Sequence, residues 1–334
     1  MNQLEKIFDR AKRLNKTIIL PESGDKRVVE AACKAAEMGL ARILLVGRTA
    51  DVDALCQENG IEPSSSIEII DPQGASVLPE LSKLYFNLRK HKGVTEEDAG
   101  KAALDPYVFA ALMVKAGHAD GTVSGAACST ANVVRTAIQV IGAAPGSRLV
   151  SSFFLMMLEG EHHAKKGAFL FSDCGLVIDP DAAELSKIAI ASAGSYQMLT
   201  GEAPRIAMLS FATRGSASHP MVDKVEQAVK LVKLNRPDLT VDGALQFDAA
   251  FVPDIAHSKG AGEPLGGDAN IFIFPDLQSG NIGYKIAQRI GGASAIGPVL
   301  QGLDKPANDL SRGCSAEDVL DMIAVTACQA DAQK

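Results

Sequence analysis

The stretch TIILPESGDKRVVEAACKAAEMGLARILLV, Thr17–Val46, contains one complete strand–helix–strand unit. Its first residues, Thr17–Leu20, are a short apolar run, which predicts a strand. Residues 24–38 predict a helix that a glycine then stops, and Arg42–Val46 is a second apolar run. Two strands joined by a helix of this length form a βαβ unit, so we expect the strands to pair in parallel.

The same alternation continues along the rest of the chain. Further strands are predicted at Ile67–Ile70, Asp120–Val123, Leu149–Met157, Ala168–Phe171, Arg205–Leu209, Ile271–Phe274 and Ser294–Val299, the last of them before the loop in Pro306–Asp318. Helices are predicted between them, among others at Leu78–Lys92, Asp181–Leu199 and Met221–Leu234. We therefore expect an α/β fold with mostly parallel sheets and helices on both faces.

Length and composition limit the classes of protein. A chain of 334 residues exceeds one ordinary core and suggests two domains. Hydrophobic residues make up 47% of the chain, as is typical of globular proteins. The net charge of −7 argues against a nucleic-acid-binding protein. An anionic substrate must then be held by local cations and backbone amides.

The cysteines and the N-terminal segment predict a compartment. The six cysteines form no C-x-x-C pair and have no histidine at metal-ligand spacing, which indicates reduced thiols in a cytosolic protein. Met1–Asn15 predicts an amphipathic helix and not a signal peptide. No apolar run approaches membrane-spanning length, so we expect a soluble cytoplasmic protein without a membrane contact.

The segment PANDLSRGCSAED, Pro306–Asp318, carries the strongest candidate site. Ser315 is a good N-cap for a following helix, and Asp318 stands three residues later at the capping-box position. A loop and an acidic first turn are therefore one complete interpretation. The other is a ligand site, because Ser311 and Arg312 precede a glycine in a short loop where a guanidinium can reach an anion.

A second candidate is the small-residue loop Ser124–Thr130, which follows a strand and leads into a helix containing Arg135. Such a loop either holds an anion with its amides and the helix dipole, or is a tight turn of small residues. The sequence leaves both interpretations open. The loop matches neither a P-loop nor a G-x-G-x-x-G fingerprint, so no nucleotide is indicated.

Several other groups have simpler interpretations. His162 and His163 lack further metal ligands at a usual spacing and indicate a surface turn. Cys314 has no histidine to activate it and is read as a small buried thiol. Ser311 lacks the G-x-S-x-G context of a hydrolase nucleophile. Arg89, like Arg135, is by itself typical of a solvated or helix-capping cation.

Seven segments together resemble the phosphate acetyltransferases (phosphotransacetylases) in their short, single-unit form. They are LPE (Leu20–Glu22), LRKHKG (Leu88–Gly93), the Val123–Ala131 loop leading to Arg135, SSFF (Ser151–Phe154), FSDCG (Phe171–Gly175), FPDLQSGNIGYK (Phe274–Lys285) and NDLSRGCS (Asn308–Ser315). They occur in the family's order over essentially the whole chain.

The resemblance implies a fold and a reaction. Two α/β domains similar to the isocitrate/isopropylmalate dehydrogenase architecture would enclose the active site in the cleft between them. The first domain would comprise residues 1–145 plus 300–334, and the second residues 146–299. The implied protein is a homodimer that converts acetyl-CoA and phosphate reversibly into acetyl phosphate and CoA, without an acyl-enzyme. It has no tightly bound cofactor and is functionally coupled to acetate kinase.

The resemblance also assigns roles to individual residues. Ser311, Arg312 and Asp318 match the family's catalytic positions, and Arg89 and Arg135 match two further arginines. We expect Asp318 to be the base for the CoA thiol, with a pKa that burial raises towards that of the thiol. The remaining predicted substrate contacts are Gly125, Ser129 and Thr130 for the anion and Gly280, Asn281, Tyr284 and Lys285 for CoA.

One departure from the family and three rivals remain. Some relatives have a cysteine near the active site after the SSFF-like strand, but Met157–His163 contains none, so turnover here cannot need that thiol. The rival functions are a phosphate butyryltransferase, a decarboxylating dehydrogenase of related architecture and a non-catalytic scaffold. Acyl-chain length is beyond what the sequence resolves, since one methylene changes binding by only about 1–3 kcal/mol.

Overall fold

A computed structural model describes residues 2–147 and 149–331. Met1, where the predicted N-terminal helix begins, and residues 332–334 of the first predicted domain lie outside this range. The chain folds into two compact units. We call residues 4–147 and 303–331 the split unit, and residues 2–3 and 149–302 the inserted unit.

The helices and strands follow the predicted alternation. The helices are α1 (Gln3–Leu14), α2 (Lys26–Glu37), α3 (Thr49–Asn59), α4 (Leu78–Arg89), α5 (Glu96–Ala102), α6 (Pro106–Ala116), α7 (Thr130–Thr136), α8 (Ala182–Thr200), α9 (Pro220–Asn235), α10 (Phe247–Phe251), α11 (Pro253–Ser258), α12 (Leu277–Arg289) and α13 (Ala316–Gln329). The strands are β1 (Thr17–Leu20), β2 (Arg42–Val46), β3 (Ile67–Ile70), β4 (Gly121–Ser124), β5 (Ser151–Leu158), β6 (Gly167–Ser172), β7 (Arg205–Leu209), β8 (Thr240–Leu245), β9 (Ile271–Ile273), β10 (Ser294–Gln301) and β11 (Ala307–Asp309). A π-helical turn, Ala137–Ile141, continues α7.

The split unit contains a parallel sheet with the strand order β11-β4-β1-β2-β3. The chain moves outward from β1 to β3 and then returns to β4 on the other side of β1. The loops after β1 and β4 therefore diverge. In open α/β sheets the crevice at such a reversal, outside the carboxyl ends of the strands, is the usual ligand position.

Burial explains why these segments form the sheet. All four residues of β1 are buried, as expected for a strand covered by helices on both faces. Helix α13 packs against α2, β1 and β4, and its residues from Val319 to Cys328 are buried apart from Asp321. The start of α2 is fixed by Asp25, whose side chain accepts from the N–H of Arg27.

The inserted unit has a six-stranded sheet with the order β10-β5-β6-β9-β7-β8. Strand β5 pairs antiparallel with β6 and with β10, whereas β6, β9, β7 and β8 are parallel neighbours. Its core contains a cluster of aromatic rings that includes Phe169, Phe171 and Phe272. The predicted fold class, α/β with mostly parallel sheets, is confirmed.

Two strands were not predicted. Strand β11, Ala307-Asn308-Asp309, lies at the start of the Pro306–Asp318 segment, where the sequence predicts a loop leading into a helix, and it pairs with β4. Two of its three residues are polar, so it lacks the apolar run that reveals a strand. In β8, Asp242 and Gly243 interrupt the apolar pattern in the same way.

Candidate active site

Three loops meet at the carboxyl ends of β1, β4 and β11 because these strands are neighbours in a parallel sheet. They are residues 21–25, the small-residue loop (residues 124–130) and the signature loop (residues 310–315). The N–H of Leu310 donates to the carbonyl oxygen of Ser124 at 2.7 Å, which ties the second loop to the third.

The carboxylate of Glu22 occupies the amides of the small-residue loop. Its Oε2 accepts from the N–H groups of Gly125 and Ala126 at 3.0 and 2.9 Å, and its Oε1 accepts from the next two amides at 2.9 Å. The hydroxyl of Tyr107 donates to the same carboxylate at 3.0 Å. Burial, together with the charge of Glu22, raises the pKa of that hydroxyl. Consecutive amides of this kind form an anion-binding concavity, and here the bound anion is the protein's own side chain.

Glu22 changes how the small-residue loop is understood. The loop does hold an anion with its amides, but the four amides of residues 125–128 are taken by Glu22. The predicted substrate contacts of Gly125, Ser129 and Thr130 stay predictions. A substrate contact of Gly125 would have to form without its backbone N–H, because that group already donates to Glu22.

Arg27 connects the small-residue loop with the signature loop. Its guanidinium pairs with the carboxylate of Asp25 at 3.0 and 2.7 Å. It also donates to the carbonyl oxygens of Arg312 at 2.9 Å and of Cys314 and Ala126 at 2.8 Å. The hydrogen bonds from Arg27 hold the pKa of the Asp25 carboxyl below its ordinary value.

The signature loop presents the predicted catalytic side chains. Ser311 and Arg312 are exposed, and the N–H of Cys314 donates to the carbonyl oxygen of Ser311 at 2.9 Å. Asp318 forms the predicted capping box with Ser315: its Oδ2 accepts from the Ser315 N–H at 2.8 Å and from the hydroxyl at 3.0 Å. A hydroxyl, a guanidinium and a carboxylate thus lie within eight residues of one another along the chain.

Asp309 is a buried carboxyl group at the end of β11 that sequence reasoning did not select. It is fully buried, and among the described residues neither of its carboxyl oxygens has a hydrogen-bond partner. Burial, with a contribution from the charge of Glu22, raises its pKa to about 7. Gly125 lies against it, since a Cβ on that glycine would overlap the carboxyl group of Asp309 and the backbone of Leu310.

Cys314 has the environment of a structural thiol. It is buried, and burial raises the pKa of its thiol despite the nearby charge of Arg27. A raised pKa disfavours the thiolate, which is the nucleophilic form.

Arg89 and Arg135 lie in the same unit on neighbouring elements. Helix α4, which ends at Arg89, packs against the π-helical turn that follows α7. The Nε of Arg89 is buried and has no hydrogen-bond partner among the residues described. Arg135, in the last turn of α7, donates to the side chain of Asn132 at 3.0 Å. A buried guanidinium N–H without a partner is suited to an anionic ligand.

The predicted CoA contacts belong to the inserted unit, on α12. All four have contacts inside that unit. A Cβ on Gly280 would overlap the carbonyl oxygen of Asp173, Asn281 donates to the carbonyl oxygen of Cys174 at 3.0 Å, and Tyr284 stacks on Phe154 with ring centroids 3.8 Å apart. The fourth, Lys285, is exposed, and its Nζ lies 5.2 Å from the centroid of the Tyr284 ring. The contacts of all four with CoA stay predictions.

Glu22, Arg27 and Asp309 are the site residues that sequence reasoning missed. A signal was present for two of them, since Glu22 ends the LPE segment and Asp309 lies in the NDLSRGCS segment. Nothing in the local pattern marks Arg27, whose partner Arg312 lies 285 positions away.

Two further properties, metal binding and membrane spanning, concern residues 2–147 and 149–331. This part of the chain contains no group of three or more His, Cys, Asp or Glu side chains arranged to hold a metal ion. Within it, no helix has both the length and the apolar character needed to cross a membrane.

Comparison with known proteins identifies one protein family over nearly the whole chain. The family model described as phosphate acetyl/butaryl transferase matches residues 3–327. A phosphate acetyltransferase of Acetivibrio thermocellus is 46% identical over 330 residues, which cover 99% of this chain and 98% of that protein. A phosphotransacetylase structure from Streptococcus pyogenes is 44% identical, with a TM-score of 0.89 over 98% of each chain.

A more distant structure bears on the fold alone. A dehydrogenase structure from Salmonella typhimurium covers 95% of this chain at 13% identity, with a TM-score of 0.56. The expected similarity to a dehydrogenase architecture is therefore confirmed at the level of the fold.

Proposed function

This chain belongs to the phosphate acetyl/butaryl transferase family, and we propose that it catalyses the reversible transfer of an acetyl group between CoA and inorganic phosphate. CoA and acetyl-CoA are then substrates, and no other cofactor is needed. The observation that carries the proposal is the signature loop, whose exposed Ser311 and Arg312 stand beside a helix start that contains Asp318.

The proposed reaction begins with the thiol of CoA. Asp318 removes the thiol proton, and the sulfur attacks the carbonyl carbon of acetyl phosphate. The new carbon–sulfur bond forms as the bond from that carbon to the phosphate oxygen breaks. The oxygen leaves with the electron pair, and the proton is then available to the departing phosphate.

Arg312 and Ser311 support this step. A guanidinium can bind the acyl phosphate through two parallel hydrogen bonds and offset the charge that develops on the carbonyl oxygen. We propose that Ser311 adds a hydrogen bond to the same centre. Arg89 supports binding of the phosphate group, because its buried Nε–H has no partner among the described residues.

The test is the initial rate of acyl-CoA formation from CoA with acetyl, propionyl and butyryl phosphate, without added metal or nucleotide. The proposal predicts the highest rate with acetyl phosphate and intersecting lines when both substrates are varied. A butyryl preference would reassign the substrate. Parallel lines would indicate a covalent acyl-enzyme and contradict direct transfer. No rate with any of them would overturn the proposed function.

We also propose that the protein is a homodimer in the cytoplasm and that its acetyl phosphate is shared with acetate kinase. Support for the dimer comes from α12, where Ile282, Ile286 and the capping residue Ile290 are 58%, 53% and 83% exposed at a spacing of four residues. Such a stripe favours cover by a second copy. Light scattering should give twice the mass of one chain. Ile286→Glu should lower the measured mass towards that of one chain.

A further inference from the structure

We propose that Arg27 is a positioning residue of this site: it fixes the main chain of the signature loop and thereby aims Ser311 and Arg312. The inference rests on the proposed function, because it concerns the loop to which that function assigns the chemistry. Arg27 lies in the first turn of α2, far from the signature loop in sequence.

The guanidinium of Arg27 uses all of its hydrogen-bonding capacity. An arginine has five N–H donors in a fixed planar fork. Nε and one Nη2 donor bind Asp25, the second Nη2 donor binds the carbonyl oxygen of Ala126, and the two Nη1 donors bind those of Arg312 and Cys314. Five donors meet five acceptors, so no donor remains for a substrate. Arg27 therefore acts through the loop and not on the reactants.

The signature loop depends on these bonds for its position. Of the residues described, those from Ser311 to Cys314 have two main-chain hydrogen bonds to other parts of the fold, and both come from Arg27. The other bonds of this segment lie within it, such as the Cys314 N–H to the Ser311 carbonyl oxygen. Without Arg27 the loop would be held at its ends by Leu310 and by the helix cap at Ser315.

Lysine cannot replace this arrangement. Its ammonium has three donors on a flexible stem and lacks the planar fork, so it can keep the ion pair with Asp25 but not all three carbonyl contacts. Arg27→Lys thus retains the positive charge but removes the planar fork that binds the three carbonyl oxygens. A displacement of reacting groups by about 1 Å can lower a rate by about 100-fold.

Arg48 offers a matched control. It forms the same two-bond pair with a nearby carboxylate, Asp51, at 2.8 and 2.9 Å in the same unit. Its side chain and that of Asp51 are 70% and 58% exposed, and in the described structure no hydrogen bond or ion pair joins the Arg48 side chain to the signature loop or the small-residue loop. Replacing Arg48 therefore removes an arginine–aspartate pair without touching the site.

The experiment compares Arg27→Lys, Arg27→Gln and Arg48→Gln with the wild-type chain. Arg27→Lys is expected to lower kcat by about 10- to 100-fold with Tm close to that of the wild type. Arg48→Gln is expected to leave kcat unchanged. In an additional variant, Arg27→Ala, the lost activity should return in part with millimolar guanidinium chloride, but not with urea at the same concentration.

Trypsin gives a measurement that does not depend on activity, because Arg312 is itself an exposed cleavage site. Loss of the Arg27 bonds should accelerate native-state cleavage between Arg312 and Gly313 several-fold. Cleavage after Lys166, which is exposed between β5 and β6 of the inserted unit, should keep its rate and serve as the internal standard. Arg48→Gln should change neither site.

The outcomes separate the two proposals. A wild-type chain without acyl transfer would overturn the proposed function, whereas the cleavage rates would still test the role of Arg27. Wild-type kcat and wild-type cleavage at Arg312 in folded Arg27→Lys and Arg27→Gln would overturn the Arg27 inference alone. A lower Tm with unchanged kcat and unchanged cleavage would overturn it as well, since Arg27 would then be a purely structural residue.

Discussion

Asp318 and Ser315 bind each other in both directions: the Oδ2 of Asp318 accepts from the N–H and hydroxyl of Ser315 at 2.8 and 3.0 Å, and the Asp318 N–H donates to that hydroxyl at 3.1 Å. The proposed base is thus also the residue that closes the start of α13. Its orientation is fixed by the cap. The capping role of Asp318 and its proposed role as a base therefore have to be separated by variants that remove one role and keep the other.

Ser315→Ala removes part of the cap and keeps the carboxylate. Loss of an N-cap side chain is expected to lower the free energy of unfolding by about 1 kcal/mol. Because the Ser315 N–H still binds Asp318, we expect kcat to fall by less than tenfold. Urea unfolding and steady-state kinetics measure the two effects. A loss of kcat as large as that of an Asp318 variant would contradict this separation.

Gly125→Ala should disrupt the packing of the small-residue loop against Asp309 and Leu310. Gly125 has a φ of +114°, and an added Cβ would overlap the carboxyl group of Asp309 and the backbone of Leu310. We expect a clear drop in Tm together with lost acyl transfer. Gly100→Ala is the control, because its added Cβ would meet no atom within 4 Å apart from its chain neighbours and its own helix backbone, and alanine favours the helix it occupies. Equal Tm for the two variants would refute the close approach.

Glu22→Gln tests whether the small-residue loop needs the carboxylate of Glu22 to bind its four backbone N–H groups. Each carboxylate oxygen of Glu22 accepts from two backbone N–H groups, so the amide nitrogen of glutamine would face two donors. Leaving buried donors unpaired costs about 1–3 kcal/mol for each group. Chemical unfolding should show this loss, and kcat should fall with it. Glu58→Gln, at an exposed position, should change neither quantity.

Asp309 should make stability depend on pH. Its folded pKa of about 7 exceeds the ordinary value, so the folded chain binds an extra proton between about pH 4 and 7. The contribution of Asp309 to the free energy of unfolding is therefore present in full below about pH 4. It is lost progressively as the pH rises to about 7.

Asp309→Asn removes this dependence. Relative to the variant, the wild-type chain should lose on the order of 2–3 kcal/mol of unfolding free energy between pH 5 and pH 8. Denaturant midpoints of both proteins at the two pH values measure the difference, and Asp53→Asn at an exposed position is the control. A difference between wild type and Asp309→Asn that stays constant with pH would contradict the raised pKa.

Local pattern was enough to predict the fold class. The apolar runs Thr17–Leu20, Arg42–Val46 and Arg205–Leu209 are strands with the predicted bounds, because a buried parallel strand needs a continuous apolar segment. Strand β11 escaped prediction for the opposite reason. Its Asn308 and Asp309 are polar yet buried, and Asn308 donates to Thr326 and Gln329 of α13 at 2.8 and 2.6 Å.

The site was predictable only in part. The capping box of Ser315 and Asp318 is a local signal and was read correctly from spacing. The roles of Glu22 and Arg27 depend on partners about a hundred or more positions away, which local pattern does not reveal. The same holds for Asp309, whose environment is created by the approach of Gly125.

The most direct test of the account is the steady-state kinetics of Asp318→Asn. Asparagine keeps an oxygen that can accept from Ser315, so the variant should fold, but it cannot act as a base. We predict that kcat for acetyl-CoA formation falls by at least about 100-fold, while KM for CoA and for acetyl phosphate changes by no more than about threefold. A normal kcat with a raised KM would contradict the account and make Asp318 a binding or capping residue.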